Sequence, residues 1–163
     1  MDDKFLYLAL NLGAISVPFL ASFYAKHAFY KRWPDLFKSI FIVGAFFIIW
    51  DVIFTKIGIW GFNPRYLIGV EFFGLPIEEW LFFITVPYAS VFTYFSLSYL
   101  MTNRLEYLAP KLLIWLSGFS GALAIVYWDR WYSVVTFALL CAFSLFLYYR
   151  VKPSWLGYFF MSY

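Results

Sequence analysis

Charge, cysteine and histidine are all scarce in this chain, and each shortage removes a class of function. Only 13% of the 163 residues are charged and 64% are hydrophobic, against roughly 25% and 45–50% in soluble domains. A water-soluble fold of this length has too little interior to hide that much apolar surface. The single cysteine, Cys141, stands in an apolar run, so neither a disulfide framework nor a thiolate metal site is available. One histidine and no His/Cys cluster at ligand spacing leave no metal site. There is no G-x-G-x-x-G or P-loop pattern to cradle a nucleotide. The net charge of +3 makes no case for nucleic acid. Met1-Asp2-Asp3-Lys4 lacks the positive start of a cleavable signal, so the first apolar segment is expected to be a retained membrane helix.

What is present is apolar length. A helix of about 20 apolar residues crosses a hydrocarbon core of about 30 Å. Five stretches meet that requirement: Phe5 to Tyr24, Ser39 to Ile57, Trp80 to Leu100, Leu112 to Trp128 and Tyr132 to Tyr149. A sixth begins at Trp155 and reaches Tyr163, too short to cross. The expected fold is all-α, a polytopic transmembrane helical bundle of about five full helices and a partial sixth. It forms one membrane-embedded domain over residues 1–163 that is either C-terminally incomplete or docked against a partner.

The charges sort by side if the loops alternate. Lys26, Lys31, Arg32, Lys38, Arg104, Lys111, Arg150 and Lys152, eight of the twelve cations, share one face. The positive-inside rule makes that face cytoplasmic, puts the N-terminus outside and suits a bacterial-type inner membrane. His27 falls in a basic loop of that face and reads as a solvated side chain. Asp2, Asp3, Asp51, Glu71, Glu78, Glu79 and Asp129 gather at the opposite end.

Between the second and third segments runs Gly58 to Leu75, GIWGFNPRYLIGVEFFGL, which is too apolar for a solvated loop. Irregular backbone at membrane depth survives only where protein or a cavity satisfies it, so a folded, interfacial or re-entrant cover over a cavity is expected. Within it Asn63-Pro64 favours a turn, and Tyr66 is placed to donate to a carboxylate or line a pocket. Pro76-Ile77-Glu78-Glu79 follows. Proline suits a first helical turn and acids there gain from the helix dipole, so a plain helix start competes with a functional reading. The adjacency of the acids, inside apolar flanks, favours function. Asp51 lies within the second segment, where an ionisable residue is a functional candidate by default; its structural alternative is a partner for Lys56, Arg65 or a buried Tyr or Trp donor. Pro87 is expected to kink the third segment. Ser117-Gly118-Phe119-Ser120-Gly121-Ala122 reads as close helix packing. Aromatic residues make up 27% of the chain and occur mid-segment, as at Phe46, Phe47 and Trp50; they are either lipid-facing bulk or the walls of a pocket for an extended apolar or cationic species.

Trp50-Asp51, Thr55, Trp60-Gly61-Phe62-Asn63-Pro64-Arg65-Tyr66, Gly69, Gly74-Leu75-Pro76-Ile77-Glu78-Glu79-Trp80-Leu81-Phe82-Phe83 and Val86-Pro87-Tyr88 together resemble the membrane-integral lycopene cyclase domain, the small type found as paired bacterial subunits or fused repeats. The resemblance is clear from Lys4 to Leu100 and looser beyond. It implies carotenoid biosynthesis: acid-initiated closure of a lycopene ψ end group to a β-type ring, an isomerisation without net redox change. It makes Glu78, Glu79 and Asp51 the catalytic candidates. Trp60, Phe62, Asn63, Tyr66, Phe82, Phe83 and Tyr88 become candidates for holding the substrate. It implies lycopene or a related carotenoid, the bilayer and a homologous cyclase subunit as partners. The residues call for no cofactor, and an assisting flavin stays open. The chain carries one Pro-x-Glu-Glu element where fused relatives carry two, which is why a partner subunit, or a second domain in missing C-terminal residues, is expected. A small ion or solute carrier, or a non-catalytic carotenoid-binding subunit, is the competing reading.

Overall fold

The computed structural model describes residues 3–26 and 28–162; Met1, Asp2, His27 and Tyr163 lie outside the described residues, and with them the expectations for His27, Asp2 and the chain start. The described chain is all-α and multi-pass, with five helical stretches long and apolar enough to cross a membrane. It divides into two compact units, residues 1–99 and 100–163.

In the first unit, a short 3-10 turn leads into α1 (Leu6–Ala21), followed by α2 (Trp33–Lys56) and α3 (Ile77–Leu100). The helices start earlier than the apolar runs do. Trp33-Pro34-Asp35 opens α2 and Ile77-Glu78-Glu79 opens α3, because proline near the start and acids in the first turn satisfy a helix N-terminus. Pro76 was expected inside the first turn of α3; it instead sits just before it, in a two-residue hairpin of β1 (Glu71–Phe72) and β2 (Leu75–Pro76). Pro87 lies inside α3 without ending it. Phe29, Leu36, Ile40 and Tyr88 form the packed core of this unit. Phe46 and Phe47 are exposed, as side chains facing lipid would be.

In the second unit, α4 (Ala109–Val126) and α5 (Trp131–Phe146) form a helical hairpin. A π-helical turn, Leu147–Val151, extends α5 so that the apolar span reaches Val151, and α6 (Leu156–Ser162) follows. The small-residue stretch serves packing: a Cβ added at Gly121 would sit 3.5 Å from the Cys141 Sγ, and Ser117 and Ser120 are buried.

A candidate active site under an ordered cap

The segment from Gly58 to Leu75 is ordered, and its local chemistry explains why. At the end of α2 the Ile59 amide donates to the Phe54 carbonyl and the Gly58 amide to the Thr55 carbonyl, with Gly58 at φ +74°. This paired closure requires a left-handed residue, which glycine supplies without a Cβ clash. The Asn63 side chain accepts from the Arg65 amide at 3.0 Å and holds a 3-10 turn over Pro64–Tyr66, the turn role expected of it. Arg65 pairs with Asp3, tying the cap to the start of the chain. The hairpin turn puts Phe73 and Gly74 at φ +54° and +81°. Two positive φ values suit the twist of a tight hairpin, but Phe73 is a strained choice for one of them. The cap then closes on α3 through the Ile77 amide, which donates to the Val70 carbonyl at 2.9 Å.

Beneath the cap the two adjacent glutamates have different surroundings. Glu78 has no exposed surface. Its Oε1 accepts from the Ile68 amide of the cap at 2.7 Å, whereas its Oε2 is buried with no partner. Glu79 is half-buried and its Oε2 accepts from the Tyr7 hydroxyl of α1 at 2.5 Å. Asp51 is 5% exposed; its Oδ1 accepts from Trp60 Nε1 at 2.6 Å and its Oδ2 is buried without a partner. The tryptophan donor anticipated as a structural partner of Asp51 is therefore real, yet it satisfies only one of the two oxygens. Thr55 Oγ1, one turn further along α2, is likewise buried and unpartnered. Unmet polar atoms of this kind are rare in folded proteins and ask for an explanation.

The acids share one neighbourhood. Tyr7 lies within electrostatic reach of Glu79, Asp51 and Glu78, and Glu79 within reach of Asp51. Phe62, Asn63 and Tyr66 line a hollow of about 220 Å³ with Tyr7 and Leu67. It includes none of the acids, and Tyr7 is the residue common to the hollow and the acid neighbourhood. Trp60 stacks on Phe54, which stacks on Trp50, so an aromatic column carries the donor to Asp51. Phe83 faces a separate apolar groove between α2 and α3, and Phe82 packs edge-on against it at 5.7 Å. Tyr88 is not part of this neighbourhood. It lies ten residues beyond Glu78, about 15 Å along the helix axis. There it is fully buried, with its hydroxyl 2.6 Å from Ser22 Oγ and accepting from Trp33 Nε1 at 2.9 Å. Satisfied packing is its observed role.

Three residues of this neighbourhood escaped the sequence reading. Asn11 of α1 is buried, donates to the carbonyls of Tyr7 and Glu78, each at 3.2 Å, and accepts from Thr85 Oγ1 at 2.6 Å. Tyr7 holds Glu79. The available signal was spacing: Tyr7 and Asn11 are four apart on one face of a lipid-length helix, and Thr85 falls two turns after Glu78 on the same face. The amide side chain of Asn11 is thus the clamp that sets the first turn of α3 against α1. Among the described residues no group of three or more His, Cys, Asp or Glu is arranged to hold a metal.

Chemically, the arrangement offers two buried carboxyl groups and one half-buried, each held by one neutral donor. A family model described as lycopene cyclase matches residues 4–97 and 129–163. No curated protein and no solved structure matches the chain.

Proposed function

Since the chain belongs to the lycopene cyclase family, we propose that it closes a lycopene ψ end group to a β-type ring by proton transfer from the buried acids of the first unit. A carboxyl O–H adds its proton to the terminal C=C bond and leaves a tertiary cation. The neighbouring C=C bond attacks that cation, forming the ring C–C bond and moving the positive charge into the ring. A carboxylate then removes the adjacent C–H proton, and the electron pair becomes the ring double bond. One proton enters and one leaves, so substrate and product are isomers and no electrons are exchanged with a cofactor.

One observation carries this reading: Glu78 and Asp51 each keep a carboxyl oxygen that is buried and free of hydrogen bonds. A protonated carboxyl there has no competing acceptor for its O–H, the condition for giving a proton to a weakly basic hydrocarbon. Glu79, fixed by Tyr7, is a positioned acceptor for the returning proton. Trp60, Phe62 and Tyr66 bring ring faces that favour a cation, and a dry site keeps water from trapping it. A carrier would need water-accessible acids, which the burial of Glu78 and Asp51 does not favour. The cationic bias of the loops supports an N-terminus outside a bacterial-type cell membrane, with the acids near that outer interface. A homologous subunit or a second domain would supply the further Pro-x-Glu-Glu element that completes the active unit.

The test is expression in a lycopene-accumulating host, alone and together with a homologous subunit, followed by chromatography of the pigments. Cyclised product in either case, lost in Glu78→Gln and Asp51→Asn, is the expected result. Unchanged lycopene in both cases, with intact protein in the membrane, sinks the proposal.

A further inference from the structure

One large apolar hollow of the first unit has no part in the chemistry above. It is a groove of about 700 Å³ between α2 and α3, lined on one side by Phe37, Ile40, Gly44 and Ile48 and on the other by Trp80 and Phe83. The lining from Phe37 to Ile49 extends about 18 Å along α2. It is almost wholly apolar, and no residue with a charged side chain lines it. At its middle, a Cβ added at Gly44 would lie 4.0 Å from the Phe83 carbonyl oxygen, in ordinary van der Waals contact.

The groove does not end in lipid-like packing. Phe37, Ile40, Gly44, Ile48, Asp51 and Thr55 follow one another at three- and four-residue steps, so they form one continuous stripe along α2. The stripe passes from groove lining straight into Asp51 and Thr55. There Asp51 Oδ2 and Thr55 Oγ1 are buried with no partner. The groove lining on α2 stops at Ile48 and Ile49, and the same helix face continues within the next two turns to these two unmet polar atoms, an arrangement that suits a ligand with a long hydrocarbon body and a reactive end.

We propose that the α2–α3 groove is the track for the extended polyene arm of the substrate, which lies along α2 with its terminal group at Asp51 and Thr55. This rests on the cyclase reading and adds the place and direction of binding. From Phe37 to Asp51 the track covers about 21 Å, around two-thirds of a hydrocarbon core of about 30 Å, so a rigid polyene reaches the acids while its other end stays in the bilayer.

The experiment uses the full chain in membranes of a lycopene-accumulating host, with whatever second subunit conversion requires. It measures both the lycopene retained per protein on purification and the ring products. Ala45→Trp, which fills the groove, is expected to lower both by about tenfold, whereas Ile42→Trp, on an exposed position outside the lining, leaves both unchanged. Asp51→Asn is expected to keep its lycopene and lose ring formation. Wild-type retention and conversion by Ala45→Trp overturn the track. So does an Ala45→Trp protein that keeps its lycopene but loses a co-purifying subunit, because the groove would then seat a helix. Lost retention in Ala45→Trp beside normal conversion by Asp51→Asn supports the track and sinks the acid assignment instead. If Ala45→Trp fails to fold, Ala45→Cys in a Cys141→Ser background decides. Lycopene is expected to slow maleimide labelling of the introduced thiol by about tenfold relative to lycopene-free bilayers, and equal rates overturn the proposal.

Discussion

The two units differ in the kind of polar side chain they bury: among the described residues, the buried acids and amide all lie in the first. In the second, the buried polar side chains are Ser117, Ser120 and Ser144. Ser117 and Ser120 spend their hydroxyls on carbonyls of their own helix, at 2.7 to 3.1 Å. Such bonds are local and link nothing to anything else. In the first, Asn11, Asp51, Glu78 and Thr85 bond across elements or are left with oxygens unmet. The second unit buries serine hydroxyls turned to their own helix, with Asn103 Oδ1 as its buried unpartnered atom among the described residues. The first gathers acids and an amide where three helices and a cap converge. The continuous family match over residues 4–97 covers the converging unit, whereas the second is matched from residue 129 onward.

The largest effect that would sharpen this contrast is at Glu78. Glu78→Gln preserves shape and the bond from the Ile68 amide while removing the transferable proton. Cyclised product is expected to fall about 10²- to 10⁴-fold, the span of general acid catalysis, with unchanged membrane expression. Pigment chromatography reads it. A variant with normal product would place the chemistry elsewhere.

Tyr7→Phe comes next. It deletes the hydroxyl that donates to Glu79 at 2.5 Å, leaving the carboxylate present but unheld. A drop of about tenfold in ring formation is expected, from the loss of one hydrogen bond to a charged group at about 1.5 to 3 kcal/mol. Retained lycopene should stay the same, because Tyr7 is a positioning residue here and not part of the groove. A fall in retention without a fall in conversion per bound lycopene would show a merely structural role.

In the second unit the strongest expected effect is on stability. Gly121→Val places branched carbons where the Cys141 sulfur already sits 3.5 Å from the nearest added atom. Overpacking of that kind costs about 1 to 3 kcal/mol, so detergent-solubilised protein is expected to unfold at lower temperature. Conversion per folded molecule should hold. If conversion falls instead while the melting temperature holds, the division of labour between the units is wrong.

How much of this was legible beforehand depends on the kind of signal each residue carries. The spans were readable because lipid imposes a length and an apolar content that few other constraints mimic. Glu78, Glu79 and Asp51 were readable for the same reason, since acids are costly inside such runs. Asn63 announced its turn through the following proline. Tyr7 and Thr85 were hidden, because tyrosine and threonine are unremarkable in membrane helices and nothing local says that their hydroxyls meet partners more than seventy residues away. The distance of Tyr88 from the acids was legible only once α3 was known to run unbroken through Pro87, because helical rise then carries it about 15 Å from Glu78. The start of α2 was misplaced at Ser39 because hydropathy begins counting at the apolar run, whereas the helix opens at Trp33-Pro34-Asp35; the acids opening α3 were legible from the proline before them.

The smallest effects make the most direct test, because they compare like with like. Thr85→Val and Ser120→Ala each delete one buried hydroxyl with little change of shape. In the first unit, the loss strands Asn11 Oδ1, which accepts from Thr85 at 2.6 Å. A buried acceptor left without its partner costs about 1 to 3 kcal/mol, and the clamp between α1 and the first turn of α3 should loosen. In the second unit, the carbonyls of Leu116 and Ser117 lose only an extra donor from Ser120. Both carbonyls lie inside α4, where the helix supplies its own amide donors, so a change within about 0.5 kcal/mol is expected. Thermal melts of the two variants side by side decide the matter. Equal shifts would mean that the cross-helix hydroxyl of Thr85 holds no more than the local one of Ser120, and the clamp would have no energetic basis.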